Sequence, residues 1–341
     1  MAKLSVNIMP IFPAEEIAEL AAYAESKGFS RCWVYDEGLV TRDVYVVLAA
    51  IAAKTEKILI GPGITNAYVR HPGVTASAIA TLDEFSDGRA FIGLGSGGGL
   101  TLDPMKIKRH KPLTLVREMV EVLRLLFSGE TVNFSGEKLS LGPAHINYGG
   151  KEIDIFLAGR GPKMLELGAQ KADGFYLSYI YKKHLADVIA KLRTQNRSDS
   201  KRFNIVYSTM LVTDDKELED AKAQLSFRLV DSPLSIKEEI GMTKEDELKI
   251  KSALREGGPQ LAGKFVKEKW VEEFTLTGNF ESIREELFRF FGQVLMSTNC
   301  LSTNCNPLKR ILNGLLPYST ANLARRHRPS HRFKAATSMP K

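Results

Sequence analysis

The chain has 341 residues, 44% of them apolar and 26% charged, a balance that excludes disordered and fibrous classes. No apolar run approaches the roughly 18 residues of a membrane span, and three cysteines, Cys32, Cys300 and Cys305, are too few for a disulfide framework in a chain this long. The net charge of +7 belongs to the C-terminal stretch: no Asp or Glu follows Glu286, whereas Lys309, Arg310, Arg325, Arg326, Arg328, Arg332, Lys334 and Lys341 supply eight cations, without which the net charge is about −1. A body so balanced gives no reason to expect nucleic acid as a partner.

The N-terminus has no apolar stretch of signal-peptide length and already alternates as a strand does, which predicts a cytoplasmic protein. Short apolar segments then alternate with longer amphipathic ones. Strands are expected at Leu4 to Met9, Arg31 to Tyr35, Lys57 to Gly61 and Arg89 to Gly93, with helices at Ala14 to Lys27, Val44 to Lys54, Gly73 to Phe85 and Leu113 to Phe127. Ser128 to Gly150 is rich in glycine and polar residues and predicts an excursion carrying a small hairpin. Ile153 to Ala158, Gly174 to Ser178 and Asn204 to Val212 follow as strands, with helices at Pro162 to Lys171 and Lys183 to Arg193. Residues 214–269 carry charged helical patterns without a strand, Phe280 to Phe291 is a helix, and Gln293 to Met296 is the eighth strand. Eight strands alternating with helices predict a closed α/β fold, a (β/α)8 TIM barrel with insertions.

After Met296 the pattern fails. The near-duplicates Ser297 to Cys300 and Ser302 to Cys305 lead into a basic, acid-free segment. Either Leu308 to Leu316 supplies a short closing helix or the reading frame of the gene has changed. The expected organisation is one barrel domain over 1–316, with a helical insertion at about 214–269, and a basic irregular tail over 317–341. Cys300, Cys305, His327 and His331 lack the central spacing and apolar positions of a zinc finger and are read as incidental, so no metal is expected.

In such a barrel the functional groups sit on loops leaving the C-terminal strand ends. Gly93-Leu94-Gly95-Ser96-Gly97-Gly98-Gly99, followed by Lys106, Lys108, Arg109, His110 and Lys111, allows close backbone approach to an anion beside a cluster of cations. Gly159-Arg160-Gly161-Pro162-Lys163-Met164 stands at a strand-to-helix handover with proline at the first helical position, an arrangement that offers free N–H groups to a phosphate. Asp36 and Glu37 end the second strand and are suited to acid–base work or to a helix cap.

Taken in order, Gly61-Pro62-Gly63-Ile64-Thr65-Asn66, His71-Pro72, Thr81-Leu82-Asp83-Glu84, Gly88-Arg89-Ala90, Gly93-Leu94-Gly95, Lys111-Pro112, Arg117-Glu118, Gly161 to Leu165 and Ala172-Asp173-Gly174 resemble the luciferase-like monooxygenase superfamily. The likeness covers about residues 3–295 and is nearest to the archaeal coenzyme F420-dependent methylenetetrahydromethanopterin reductases. The resemblance implies a cofactor at the barrel mouth, its phosphate held by Gly97, Gly98, Gly99, Gly159, Gly161, Lys163 and Met164. It also implies a non-prolyl cis peptide at Gly63-Ile64 backing the flavin-like ring. Departures fall on the substrate side: Asp36-Glu37 stands where those reductases have Asp-His, Asn7 where they have an acid in the first strand, and Gly98-Gly99 where they have Asp-Lys.

The resemblance therefore implies a hydride-transfer oxidoreductase using coenzyme F420 on a small or C1-carrying organic substrate, methylenetetrahydromethanopterin being one candidate, and working as a homo-oligomer. Asn7 is the substrate-side position, Glu37 the proton-handling residue, and Asp36 its structural or ring-bonding neighbour. Neighbours on an extended segment face opposite sides, so one of the pair is expected to face the ring. An FMN-dependent monooxygenase of the same superfamily and a non-catalytic cofactor-binding barrel are the alternatives.

Overall fold

A computed structural model describes residues 4–150, 152–196, 203–290 and 295–300, from 288 onward as backbone alone. Its main sheet is built of parallel strands β1 (Leu4–Ile8), β2 (Arg31–Val34), β3 (Leu59–Pro62), β4 (Phe91–Gly95), β5 (Asp154–Ala158), β6 (Gly174–Ser178), β7 (Asn204–Thr209) and β8 (Leu295–Cys300). Neighbours run β3-β2-β1-β8-β7-β6-β5-β4. Ile60 bridges Ala90, and the Thr65–Asn66 continuation of β3 pairs with Leu94 and Gly95, so β4 returns to β3 and the sheet closes. The (β/α)8 barrel expected from the sequence is the observed architecture.

The eighth strand differs from expectation. It runs from Leu295 through Cys300, with Leu4 to Ile8 of β1 on one side and Val206 to Thr209 of β7 on the other. Ser297 to Cys300 had read as the start of irregular chain because the segment is polar. Two flanking ladders satisfy its backbone whatever the side chains are. Gln293, Leu308 to Leu316, Cys305, His327, His331 and the 317–341 tail lie outside the described residues.

Helices α1 (Ala14–Ser26), α2 (Val44–Lys54), α3 (Pro72–Phe85), α4 (Pro112–Phe127), α5 (Pro162–Lys171) and α6 (Lys182–Gln195) follow β1 to β6 in turn. Their starts are set by local chemistry. Asp43 accepts from the Tyr45 and Val46 amides at α2, His71 Nδ1 accepts from the Gly73 amide at α3, and prolines open α3, α4 and α5. Before β5 the expected hairpin is present as Val132–Ser135 paired antiparallel with Ser140–Ala144, its turn held by the Glu118 carboxylate, which accepts the Glu137, Lys138 and Leu139 amides. The insertion comprises α7 (Asp215–Val230), α8 (Leu234–Glu239), α9 (Lys244–Gly263) and α10 (Glu268–Phe274), packed on its own apolar core around Trp270 and Leu225. Leu211–Val212 pairs with Leu276–Thr277 at its base, and α11 (Phe280–Phe290) leads back toward β8.

Alternate strand residues point into the barrel, and these fill it in layers. Arg31 and Asp154 form an ion pair at 3.5 Å at its foot. Above them Trp33 packs against Phe91, Phe156 and Tyr176 at centroid distances of 4.3, 5.1 and 4.8 Å. Such large rings fit because glycines face them. A Cβ on Gly61 would stand 2.2 Å from the Phe91 carbonyl oxygen, and one on Gly63 would stand 2.5 Å from Trp33 Cβ. The aromatic plug closes the barrel from below and leaves its C-terminal mouth open.

Candidate active site

A cavity of about 270 Å³ occupies that mouth. Asp36 and Glu37 from the loop after β2, Gly63 and Ile64 after β3, Gly97, Gly98 and Gly99 after β4, and Gly159 after β5 all line it. The sequence thus brings eight of its twelve candidate residues to one place. The Gly63-Ile64 peptide is cis. Ile64 leans over β4, where a Cβ on Gly95 would stand 2.4 Å from its Cδ1, so glycine there lets the isoleucine form the floor.

The other four candidates do not line the cavity. Asn7 is fully buried beneath it, its Nδ2 donating to the Gly63 carbonyl at 3.1 Å and to the Tyr176 hydroxyl at 2.5 Å, which in turn donates to Ser208 Oγ at 2.5 Å. Met164 packs below Gly159, where a Cβ would stand 2.6 Å from Met164 Cγ. Gly161 and Lys163 are exposed at the start of α5. Of the basic run, Arg109 alone lines the cavity, its Nη1 donating to the Gly97 carbonyl at 3.3 Å. Lys111 is taken by Glu137, and Lys138 lies 3.1 Å from His110 Nδ1.

β2 ends at Val34, and Glu37, at φ −105° and ψ 29°, leaves the extended conformation to cap a 3-10 turn over Gly38–Val40, so Asp36 and Glu37 both reach the cavity. The expected opposite facing of the two carboxylates is therefore not what the fold does. Asp36 Oδ2 accepts from Thr65 Oγ1 at 2.6 Å, and Glu37 Oε2 accepts from Thr101 Oγ1, also at 2.6 Å. Each acid ties its loop to a different neighbour. Burial pushes the Asp36 carboxyl above its ordinary range, with the Thr65 hydroxyl pulling the other way. Burial likewise raises Glu37, opposed by the Thr101 hydroxyl and the Arg228 guanidinium.

Sequence reasoning missed the insertion's contribution. Phe227 and Arg228 in the last turn of α7, with Asp231 just beyond, form one wall. No periodicity announces this, because a helix in an insertion shows its apolar face but not which strand end it will overhang. Tyr35 was also missed. Its hydroxyl is buried in the wall and has no hydrogen-bond partner among the described residues, and burial holds it well above the ordinary tyrosine range.

A closed parallel barrel with a glycine-lined cavity and two acids at its C-terminal mouth defines a TIM-barrel protein with a ligand-sized cleft where such barrels carry their sites. A model of the luciferase-like monooxygenase family matches residues 3–294, and the chain belongs to that family. The 5,10-methylenetetrahydromethanopterin reductase of Archaeoglobus fulgidus is 30% identical over 295 residues, covering 84% of this chain and 89% of that one. The solved coenzyme F420-dependent tetrahydromethanopterin reductase from Methanopyrus kandleri superposes with a TM-score of 0.81 at 26% identity, over 92% of this chain and 98% of that one. An F420-dependent secondary alcohol dehydrogenase shares the fold, with a TM-score of 0.73 at 19% identity over 92% and 99% of the two chains.

Proposed function

We propose that the protein is an F420-dependent oxidoreductase that moves a hydride between the deazaflavin and a small or C1-carrying organic substrate, with methylenetetrahydromethanopterin the leading candidate. The observation that carries this reading is the glycine-lined cleft at the strand ends, in a chain whose reductase relative is similar over 89% of its length. The cleft suits an anionic, ring-bearing cofactor. Arg109 and Arg160 line it on the glycine-loop side, and neither is ion-paired with a carboxylate among the described residues. Gly98 has nothing within 4 Å of a built Cβ, and the unpartnered Tyr35 hydroxyl offers a buried polar contact.

Gly97, Gly98, Gly99 and Gly159 are the residues that would hold the cofactor, with Gly161, Lys163 and Met164 supporting them from the α5 start, and Gly63-Ile64 would back its ring. Bound F420 supplies a carbon that accepts or gives a hydride. The protein supplies the matching proton. A carboxyl raised by burial and steadied by one hydroxyl is suited to holding and releasing a proton, and Glu37 has this form. Asp36 fixes the Thr65 segment that follows Ile64. Asn7 acts from below, pinning the Gly63 carbonyl, and this replaces direct substrate contact as its role.

FMN in the same cleft is the alternative cofactor, favoured only by the breadth of the family. The reading takes the protein to be a cytoplasmic homo-oligomer without a membrane segment; no helix among the described residues is long and apolar enough to cross a membrane. The test is oxidation of reduced F420 by methylenetetrahydromethanopterin, followed by the return of deazaflavin absorbance. Turnover dependent on both partners supports the reading, and transfer of an oxygen atom from O2 to a substrate by protein supplied with reduced FMN instead would move it to the monooxygenase side.

A further inference from the structure

The helical insertion places an arginine opposite the acids. Arg228 stacks on the ring of Tyr179, its Cζ 3.9 Å from the ring centroid, and Phe227 flanks it at 4.9 Å. Its Nε is buried and has no hydrogen-bond partner among the described residues. No carboxylate among the described residues pairs with it, and its main-chain carbonyl accepts from Arg160 Nη1 at 3.3 Å, so a second guanidinium stands beside it. A flat guanidinium clamped on an aromatic face with donors unused is pre-organised for a planar or tetrahedral oxyanion, because little side-chain entropy remains to be lost.

Arg228 enters the cleft from the insertion and meets the loop after β5 through its main-chain carbonyl, which faces Arg160. Arg109, through the Gly97 carbonyl, belongs to the loop after β4. The Arg228 side chain lines the same cavity as Glu37 and Tyr35 on the β2 side and Arg160 on the β5 side. The other charges facing it are Arg160, which donates to the Arg228 carbonyl, and Asp231, and both line the cavity as well. An anion seated at Arg228 would thus lie on the acid side of the cleft, where the substrate meets Glu37.

We infer that Arg228 is a substrate-recognition residue that reads a carboxylate or phosphate carried by the substrate, at a subsite distinct from the one holding the cofactor's phosphate. This inference rests on the oxidoreductase reading of the cleft. It makes the substrate an organic anion and gives the insertion a task, delivering the specificity group over a cleft whose floor is built by the strands.

The experiment uses inorganic phosphate as the probe. Wild type and Arg228→Gln are first titrated with F420, then the F420 complexes are titrated with phosphate by calorimetry. The expected result is an F420 affinity unchanged within about threefold and a phosphate affinity weakened at least about tenfold in the variant. A tenfold loss of F420 affinity itself would assign Arg228 to the cofactor and overturn the inference, as would phosphate binding equal in the two proteins. If Arg228→Gln does not fold, phenylglyoxal labelling of wild type with peptide mapping decides: phosphate must slow modification of Arg228 in the F420 complex, and an unaffected rate contradicts the subsite. If wild type binds no F420, the oxidoreductase reading falls, and the same phosphate comparison on the cofactor-free proteins judges Arg228 separately.

Discussion

Glu37 and Asp36 are neighbours with similar environments and different duties. Asp36 is engaged with the segment that follows the floor residue Ile64, whereas Glu37 bonds a threonine on the one-turn helix Gly99–Leu102 and looks toward Arg228. Glu37→Gln keeps an acceptor for Thr101 and removes the proton. Turnover should fall by about a hundredfold or more while F420 affinity is retained. Turnover equal to wild type would place the proton elsewhere. The same substitution reads out in stability. A carboxyl whose folded pKa is raised above its unfolded value, ordinarily near 4.5, binds a proton on folding, so the stability it contributes is full below the unfolded value and is lost as pH rises through the folded one. The neutral glutamine escapes that loss. Glu37→Gln should therefore melt higher than wild type at about pH 8 and no higher at about pH 4; a difference independent of pH in thermal melts would contradict burial as the cause. The residue identities at this site were legible in the sequence, but their partners were not: nothing in the order of residues says that Thr65 and Thr101 would face two acids more than 25 positions earlier.

At the scale of elements, the glycines divide into those that the fold requires and those that a ligand requires. Gly61 faces the Phe91 carbonyl and ring, with a built Cβ only 2.2 Å from that oxygen. Gly61→Ala should cost about 2 kcal/mol and lower the melting temperature by about 4 °C or more, as overpacking of a rigid backbone contact does; an unchanged melt would show that the strands can part. Gly161 has nothing within 4 Å of its Cβ and extended angles of φ −79° and ψ 147° that valine adopts freely. Gly161→Val should leave the melt unchanged and weaken F420 at least about tenfold by blocking approach to the α5 start. Equal affinity in a fluorescence titration would remove that helix start from the site, an outcome made pertinent by its position outside the cavity lining. Helix and strand starts were readable because prolines, caps and glycines act locally. The β2 loop was misread as extended because the turn at Gly38–Val40 is signalled locally by one glycine, Gly38 at φ 56°, and its cap residue Glu37 makes no side-chain cap hydrogen bond.

For the whole molecule, strand count and alternation sufficed to foresee a closed barrel, since eight βα units leave few other ways to bury both faces of a parallel sheet. Two features were hidden for the same reason, which is that they depend on residues distant in the chain. The polar strand Ser297 to Cys300 is made by its two neighbours, and the wall at Arg228 is made by the path of the insertion back over the mouth. The organisation as one barrel domain with a basic tail remains our reading of the chain. All of these features converge on one cleft whose floor, glycine loops and neighbouring Arg109 and Arg160 are suited to an anionic deazaflavin. The most direct measurement is a competitive titration of the purified protein with F420 and FMN, followed by fluorescence and absorbance. The account predicts saturable binding of F420, one per chain, that FMN displaces only in large excess; tight FMN binding with no F420 bound at comparable concentration would contradict it.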